Sequence, residues 1–263
     1  MLFLQSIKFW KVRKMTTVKN IYDYINSIAP YDLQESYDNS GHLVGDFRRE
    51  VKKVVMALDA TKDVCSFARD VNADLVLTHH PIIFNPVSSV KTGTALYTLV
   101  HSGIAAICAH TNYDIAYGGI NDSLAEILEL KNTKHLDGSF LVIGELENAM
   151  SVDDFALFVS DKLDCAGLRY TDTSKVIKTV ALGGGACEEY AELACKNADC
   201  FLTGDMKYHQ MLDAAEKGHC ILSAGHFETE YKSFVMLKDK LEMLFADVEF
   251  IDANQQNPVK SIQ

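Results

Sequence analysis

Two of the nine histidines in this chain of 263 residues, His79 and His80, stand side by side in LTHHPIIF, where an apolar run ends and Pro81 follows. In a regular strand, neighbouring side chains point to opposite faces. Adjacent imidazoles therefore reach a common centre only where the chain bends, or else each serves a different centre. Two further stretches place a histidine four residues ahead of an acid: AHTNYD, with His110 and Asp114, and GHFETE, with His226 and Glu230. If the second is helical, His226 and Glu230 share one face. Imidazole together with carboxylate suits divalent ions such as zinc, iron, manganese, cobalt or nickel. A carboxylate can bridge two cations, and adjacent histidines at a broken strand end can reach one cation each. The candidate ligands are His79, His80, Asp114, His226 and Glu230, with His110 and Asp205 nearby, and the histidine pair is best used by two ions. A two-metal site clamps an oxyanion and generates hydroxide at neutral pH. Each residue also has a plainer role when taken alone. The histidines fit a strand-end surface, Asp114 a turn cap and Glu230 a solvated helix, while Asp74 and Asp199 fit turn caps. His101, His135 and His219 have no partner nearby in sequence and read as structural.

Elements that could position such a set follow from the hydrophobic rhythm. Strands are expected over 54–58, 75–78, 104–109, 140–146, 176–182, 200–203, 220–224 and 248–251. Helices are expected over 62–71, 94–100, 121–130, 152–163, 187–196, 207–216 and 229–244, with Ser151 capping one and Asn121 or Asp122 another. Alternating strands and helices imply an α/β fold with largely parallel sheets. The chain also repeats itself. NADLVLTHH begins at Asn72 and NADCFLTGD at Asn197, with Asn, Ala, Asp, Leu and Thr recurring in register 125 residues apart. The two His-x-x-x-acid stretches recur at 116. We read an internal duplication: two related α/β halves, over 15–130 and 131–263, packed tightly around a shared metal cleft at their strand ends.

Composition bounds the rest. Hydrophobic residues make up 48% and charged residues 23%, the profile of a globular protein. The net charge of −11 argues against unspecific binding to nucleic acid or to an anionic membrane surface. No apolar run is long enough for a membrane span. The seven cysteines include no CxxC pair and read as reduced, mostly buried thiols. Residues 1–14 run from apolar to basic, the reverse of a secretory signal, and read as an extension of little structure ahead of Met15. The expected location is the cytoplasm.

The motifs YDNSGHLVGD, LTHHPIIF, AHTNYDIAYGGIND, ALGGGA, FLTGDMKYH and AGHFETE occur in that order from Tyr37 to Glu230. Together they resemble the successive motifs of the Nif-three-like metal-binding family, whose members are also called GTP cyclohydrolase I type-2 homologues. The resemblance implies a dinuclear centre between two α/β halves and a ring-like homohexamer. Its ligands, carried onto this chain, are His79, His80, Asp114, His226 and Glu230. Some relatives insert a domain between the halves, and 130–175 is too short for one here. Tyr208–His209 stands where the family often has paired histidines, and His42 where an apolar residue is usual. The glycines of LGGGA, Gly183 to Gly185, can let a backbone approach the site.

Two functions remain open on this reading. One is a metal-dependent hydrolase acting on a nucleotide or another phosphorylated small molecule, GTP included by resemblance. In it Glu230, His110 and His209 are the candidate catalytic residues, with the two histidines as proton shuttles. The other is a non-enzymatic protein that stores or delivers the metal or serves as an interaction scaffold.

Overall fold

The computed structural model describes residues 15–260; the extension expected over 1–14 lies outside the described residues. Two mixed sheets form its frame. The first contains β1 (Gly41–Val44), β2 (Lys53–Ala57), β3 (Leu75–Thr78), β4 (Ala105–Cys108) and, from the far end of the chain, β11 (Glu249–Asp252), in the order β1-β4-β3-β2-β11. The helices α1 (Val18–Ile28), α2 (Lys62–Asp70) and α3 (Ala95–Ser102) belong to the same part of the chain. Strands β2, β3 and β4 are parallel neighbours and almost wholly buried, hence their near-continuous apolar runs. The pleat sends Leu75 and Leu77 to one core and Val76 to the other. Thr61 and Thr94 accept the N–H groups of Val64 and Tyr97 and fix the starts of α2 and α3.

After β4 come two short helices, α4 (Thr111–Ile115) and α5 (Ile120–Ile127). The second sheet contains β5 (Lys131–His135), β6 (Val142–Ser151), β7 (Arg169–Tyr170), β8 (Val176–Gly183), β9 (Cys200–Thr203) and β10 (Cys220–Ser223), in the order β5-β6-β8-β9-β10-β7. Its helices are α6 (Val152–Leu163), capped by Ser151 as expected, α7 (Ala191–Asn197) and α8 (Tyr208–Glu216). The chain ends with α9 (His226–Val235), α10 (Leu237–Leu244) and β11.

The two sheets repeat one plan. In each, three parallel strands lie side by side, and an antiparallel edge strand pairs with the third: β1 on β4 and β7 on β10. Hydrogen bonds repeat as well. Asp74 accepts the backbone N–H groups of Lys52 and Lys53, and Asp199 accepts those of Lys178 and Thr179. The repeated Asp of NAD thus ties the start of the preceding strand. At the other end, Ala109 N–H donates to the Thr78 carbonyl and Ala224 N–H to that of Thr203.

Three features depart from the sequence reading. The last elements of 131–263 return to the first sheet, which the strand rhythm does not foretell: β11 pairs with β2, and Phe234, Leu237 and Leu241 join the core beneath that sheet. Those apolar helix faces cover, together with α1, a sheet face that would otherwise be wet. Next, the helix expected over 229–244 begins at His226, where Gly225 turns the chain at φ 101°, and is divided at Met236 into α9 and α10. Finally, Asn121 is no cap. It is buried in α5, donates to the carbonyls of Asp114 and Phe140 at 3.1 and 2.8 Å, and accepts Gly184 N–H at 2.8 Å. A buried amide that bonds three backbone groups from separate segments does more there than at a solvated helix end.

Candidate metal centre

The carboxyl ends of β2, β3 and β4 and of β8, β9 and β10 carry the candidate ligands into one crevice, the place where open α/β sheets bind ligands. Asp59 follows β2, His79 and His80 follow β3, and His110 follows β4, with Asp114 one turn into α4. From the second sheet come Gly184 and Gly185 after β8, Asp205 after β9, and His226 and Glu230 on α9 after β10. The five expected ligands are therefore gathered from both sheets.

Glu230 lies at the centre, with its side chain 5% exposed. Its Oε1 is 3.7 Å from His79 Nε2; its Oε2 is 3.1 Å from His80 Nε2 and 3.2 Å from His226 Nε2. Asp114 Oδ1 is 3.5 Å from the same His79 nitrogen. Adjacent histidines thus reach opposite oxygens of one carboxylate, because the chain bends at the end of β3. Two groups of three result, His79–Asp114–Glu230 and His80–His226–Glu230, each with ligand atoms within 4.8 Å of one another. Glu230 belongs to both. His110 joins His79 and His80 in a third such group.

The outward nitrogens decide which atoms face the cluster. His79 Nδ1 lies 2.8 Å from the Ala109 carbonyl, which can only accept, so this nitrogen carries the proton. Nε2 is left as a lone pair, buried and without a hydrogen-bond partner among the described residues. Glu230 Oε2 is likewise buried, and its close imidazole contacts lack hydrogen-bond geometry. Asp59 holds His80 Nδ1 at 2.8 Å, Asp205 holds His226 Nδ1 at 2.7 Å and Asp38 holds His110 Nδ1 at 2.8 Å. A carboxylate or carbonyl on the outer nitrogen is the support that metal-binding histidines usually have. Two buried polar atoms without partners, in a set of imidazole and carboxylate, fit a divalent ion.

Proton affinities agree with this arrangement. Burial pushes His79 down to about 4, so it stays neutral. Burial also works against charge on His80 and His226, but Asp59 and Glu230 raise His80 to about 10, and Glu230 and Asp205 raise His226 to about 9. Burial and the Glu230 charge hold the Asp114 carboxyl well above its usual range. Burial opposes ionisation of Glu230 too, yet the surrounding imidazoles hold it well below. Because histidine binds a metal as the neutral base, metal uptake at neutral pH should release protons from His80 and His226.

Asp59 sets the charge and orientation of His80. Asp59→Asn is expected to weaken metal binding about 10- to 100-fold, the usual cost of losing such a partner. Competition with a chelator measures this; an unchanged affinity would remove Asp59 from the site.

The sequence reading missed Asp59 and Asp38, although Asp38 lies in the quoted YDNSGHLVGD stretch and Asp59 directly follows a buried strand. It aligned His110 with His226, but the strand ladders place Cys108 opposite Thr78 and Ser223 opposite Thr203, 115 residues apart rather than 116. His110 therefore stands at the N-cap of α4, whereas His226 is the first residue of α9. His209 is exposed at the start of α8 with its ring against Tyr208, and it is not among the side chains grouped around Glu230. Gly185 has φ +62°, and a Cβ there would overlap Glu230 Oε1 and lie 3.2 Å from His226 Nε2. The glycine loop thus brings backbone against the central carboxylate, as its sequence suggests. No helix among the described residues is long and apolar enough to cross a membrane.

A model of the Duf34/NIF3 (NGG1p interacting factor 3) family matches residues 16–258. A Clostridium perfringens protein named GTP cyclohydrolase 1 type 2 homolog is 36% identical over 248 residues, covering 89% of this chain and 95% of its own. Among solved structures, a Staphylococcus aureus hypothetical protein superposes with a TM-score of 0.86 at 26% identity, covering 94% of this chain and all of its own (100%). Reduced HcgD from Methanocaldococcus jannaschii gives a TM-score of 0.79 at 28% identity, covering 91% of this chain and 98% of its own.

Proposed function

We propose, on the premise that this chain belongs to the Duf34/NIF3 family, that it holds two divalent metal ions in the crevice and hydrolyses a nucleotide or another phosphorylated small molecule. The observation that carries this reading is Glu230, one buried carboxylate shared by two groups of ligand atoms. His79 and Asp114 complete one group, and His80 and His226 the other. Divalent ions there would supply Lewis acidity, making water acidic enough to ionise near neutral pH and offsetting negative charge on an oxyanion. Asp59 and Asp205 orient the two exposed-side imidazoles. His110 is placed to carry a proton at Nε2, since Asp38 holds its Nδ1. Burial opposes the charge on Asp38, but its hydrogen bonds with His110 and Thr111 keep it ionised far below the usual carboxylate range. His209 has no such placement, so the proton role falls to His110. A homohexamer and a cytoplasmic location belong to the same proposal; the former rests on the family resemblance and the latter on the sequence alone.

Protein loaded with metal, checked by elemental analysis for two ions per chain, should turn over at least one member of a panel of nucleotides and phosphate monoesters. His110→Ala should keep both ions and lower kcat by about 100- to 10,000-fold, the range for a lost acid–base group. Two bound ions with no turnover of any member would favour the non-enzymatic metal-binding reading. A single ion would sink the dinuclear one.

A further inference from the structure

A cavity of about 550 Å³ opens onto the cluster. Asp59, His80, Asp205 and His226 line it together with Arg169 and Asn257. Its lining includes the two more exposed members of the cluster. The side chains of His79, Asp114 and Glu230 are 0, 14 and 5% exposed, whereas those of His80 and His226 are 23 and 37% exposed. A volume of this size suits a small organic molecule. Among the described residues lining the cavity, Arg169 is the only lysine or arginine. The lining carboxylates are already engaged: Asp59 with His80 and Gln255, Asp205 with His226, and Glu228 with Asn257.

Arg169 sits on the edge strand β7, opposite Ser223 of β10. Its Nη2 donates to the Met206 carbonyl and to Ser223 Oγ, both at 3.2 Å. Those two partners lie one residue beyond Asp205 and three before His226, so the guanidinium is braced against the chain segments that carry the cluster. Nε and Nη1 have no hydrogen-bond partner among the described residues. A planar fork with free donors, held at a fixed place, matches the geometry of a phosphate.

We infer that Arg169 binds the phosphate group of a small phosphorylated substrate in this cavity, while the rest of the molecule extends to the His80–His226 edge of the cluster. This rests on the proposed hydrolase reading but names a binding residue outside the ligand set. It differs from a purely structural role, in which Arg169 only braces the two loops.

The test titrates inorganic phosphate into wild-type protein, Arg169→Gln and Arg169→Lys by calorimetry, with and without bound manganese, with metal content and melting temperature measured alongside. Arg169→Gln should weaken phosphate binding about tenfold or more in both forms, as loss of hydrogen bonds to a charged group implies, with metal content unchanged. Arg169→Lys should recover part of that loss, since a point charge replaces the fork. Unchanged phosphate affinity in Arg169→Gln would overturn the inference. So would loss of metal together with phosphate, which marks a brace, or acetate binding as tightly as phosphate. If wild-type protein binds phosphate through Arg169 but takes up none of manganese, zinc, iron, cobalt and nickel, the metal reading fails and the phosphate site stands.

Discussion

Glu230→Ala is expected to empty both groups of ligands at once. No other side chain is common to the two groups that run through His79 and Asp114 and through His80 and His226. Loss of either outer member should leave one group intact, whereas loss of Glu230 leaves each with two ligands. Affinity for both ions should fall by more than ~100-fold, beyond the cost of losing an outer supporting partner, and any hydrolysis should fall below detection. Elemental analysis after reconstitution and dialysis reads the outcome directly. Glu230→Gln keeps the shape but loses the charge and should behave almost as badly, because a neutral amide cannot offset two cations. Retention of one tight ion in Glu230→Ala would show that the two groups are independent and would end the shared-carboxylate reading. Circular dichroism should remain native-like, since the cores around Val54, Leu75 and Val180 do not include this side chain.

Gly185→Ala should remove metal binding without touching a ligand. Its φ of +62° costs an L-residue roughly 1–2 kcal/mol. Its Cβ would also overlap Glu230 Oε1, and neither group can yield easily. The loop is fixed by Gly185 N–H donating to Thr229 Oγ1 at 3.0 Å and by the Gly185 carbonyl accepting Asp205 N–H at 2.9 Å. Glu230 has to move away from His79, and the ligand geometry is lost. Gly138→Ala is the matched control, with φ +74° and, among the described residues, nothing within 4 Å of its would-be Cβ. That variant should lose a similar backbone increment in thermal stability and keep its metal. Equal metal content in the two variants would show that Gly185 does not hold Glu230 in place.

Much of this was legible in the sequence. Buried parallel strands announce themselves as short apolar runs, so β2, β3, β4, β8, β9 and β10 lie where the residues place them. Thr78 and Thr203 end their strands at equivalent points because the NAD repeat carries its own local hydrogen bonds, Asp74 and Asp199 each tying the preceding strand. The five ligand candidates were legible for the same reason: polar residues directly after apolar runs fall at strand ends, and strand ends of one such fold share a crevice. Only the tertiary structure decided what lies across that crevice. The division of His79 and His80 between two oxygens of Glu230 depends on the approach of α9 to β3, a contact between residues about 150 apart that no local pattern encodes. The same holds for Asp59 behind His80 and Asp38 behind His110, for Asn121 as a link between segments rather than a cap, and for β11 returning to the first sheet. Local pattern fixes periodicity and strand ends, because these depend on a few neighbouring residues. Partners across the cleft depend on how two independently patterned sheets pack, and that is settled by burying the faces of α9, α10 and β11 against the first sheet.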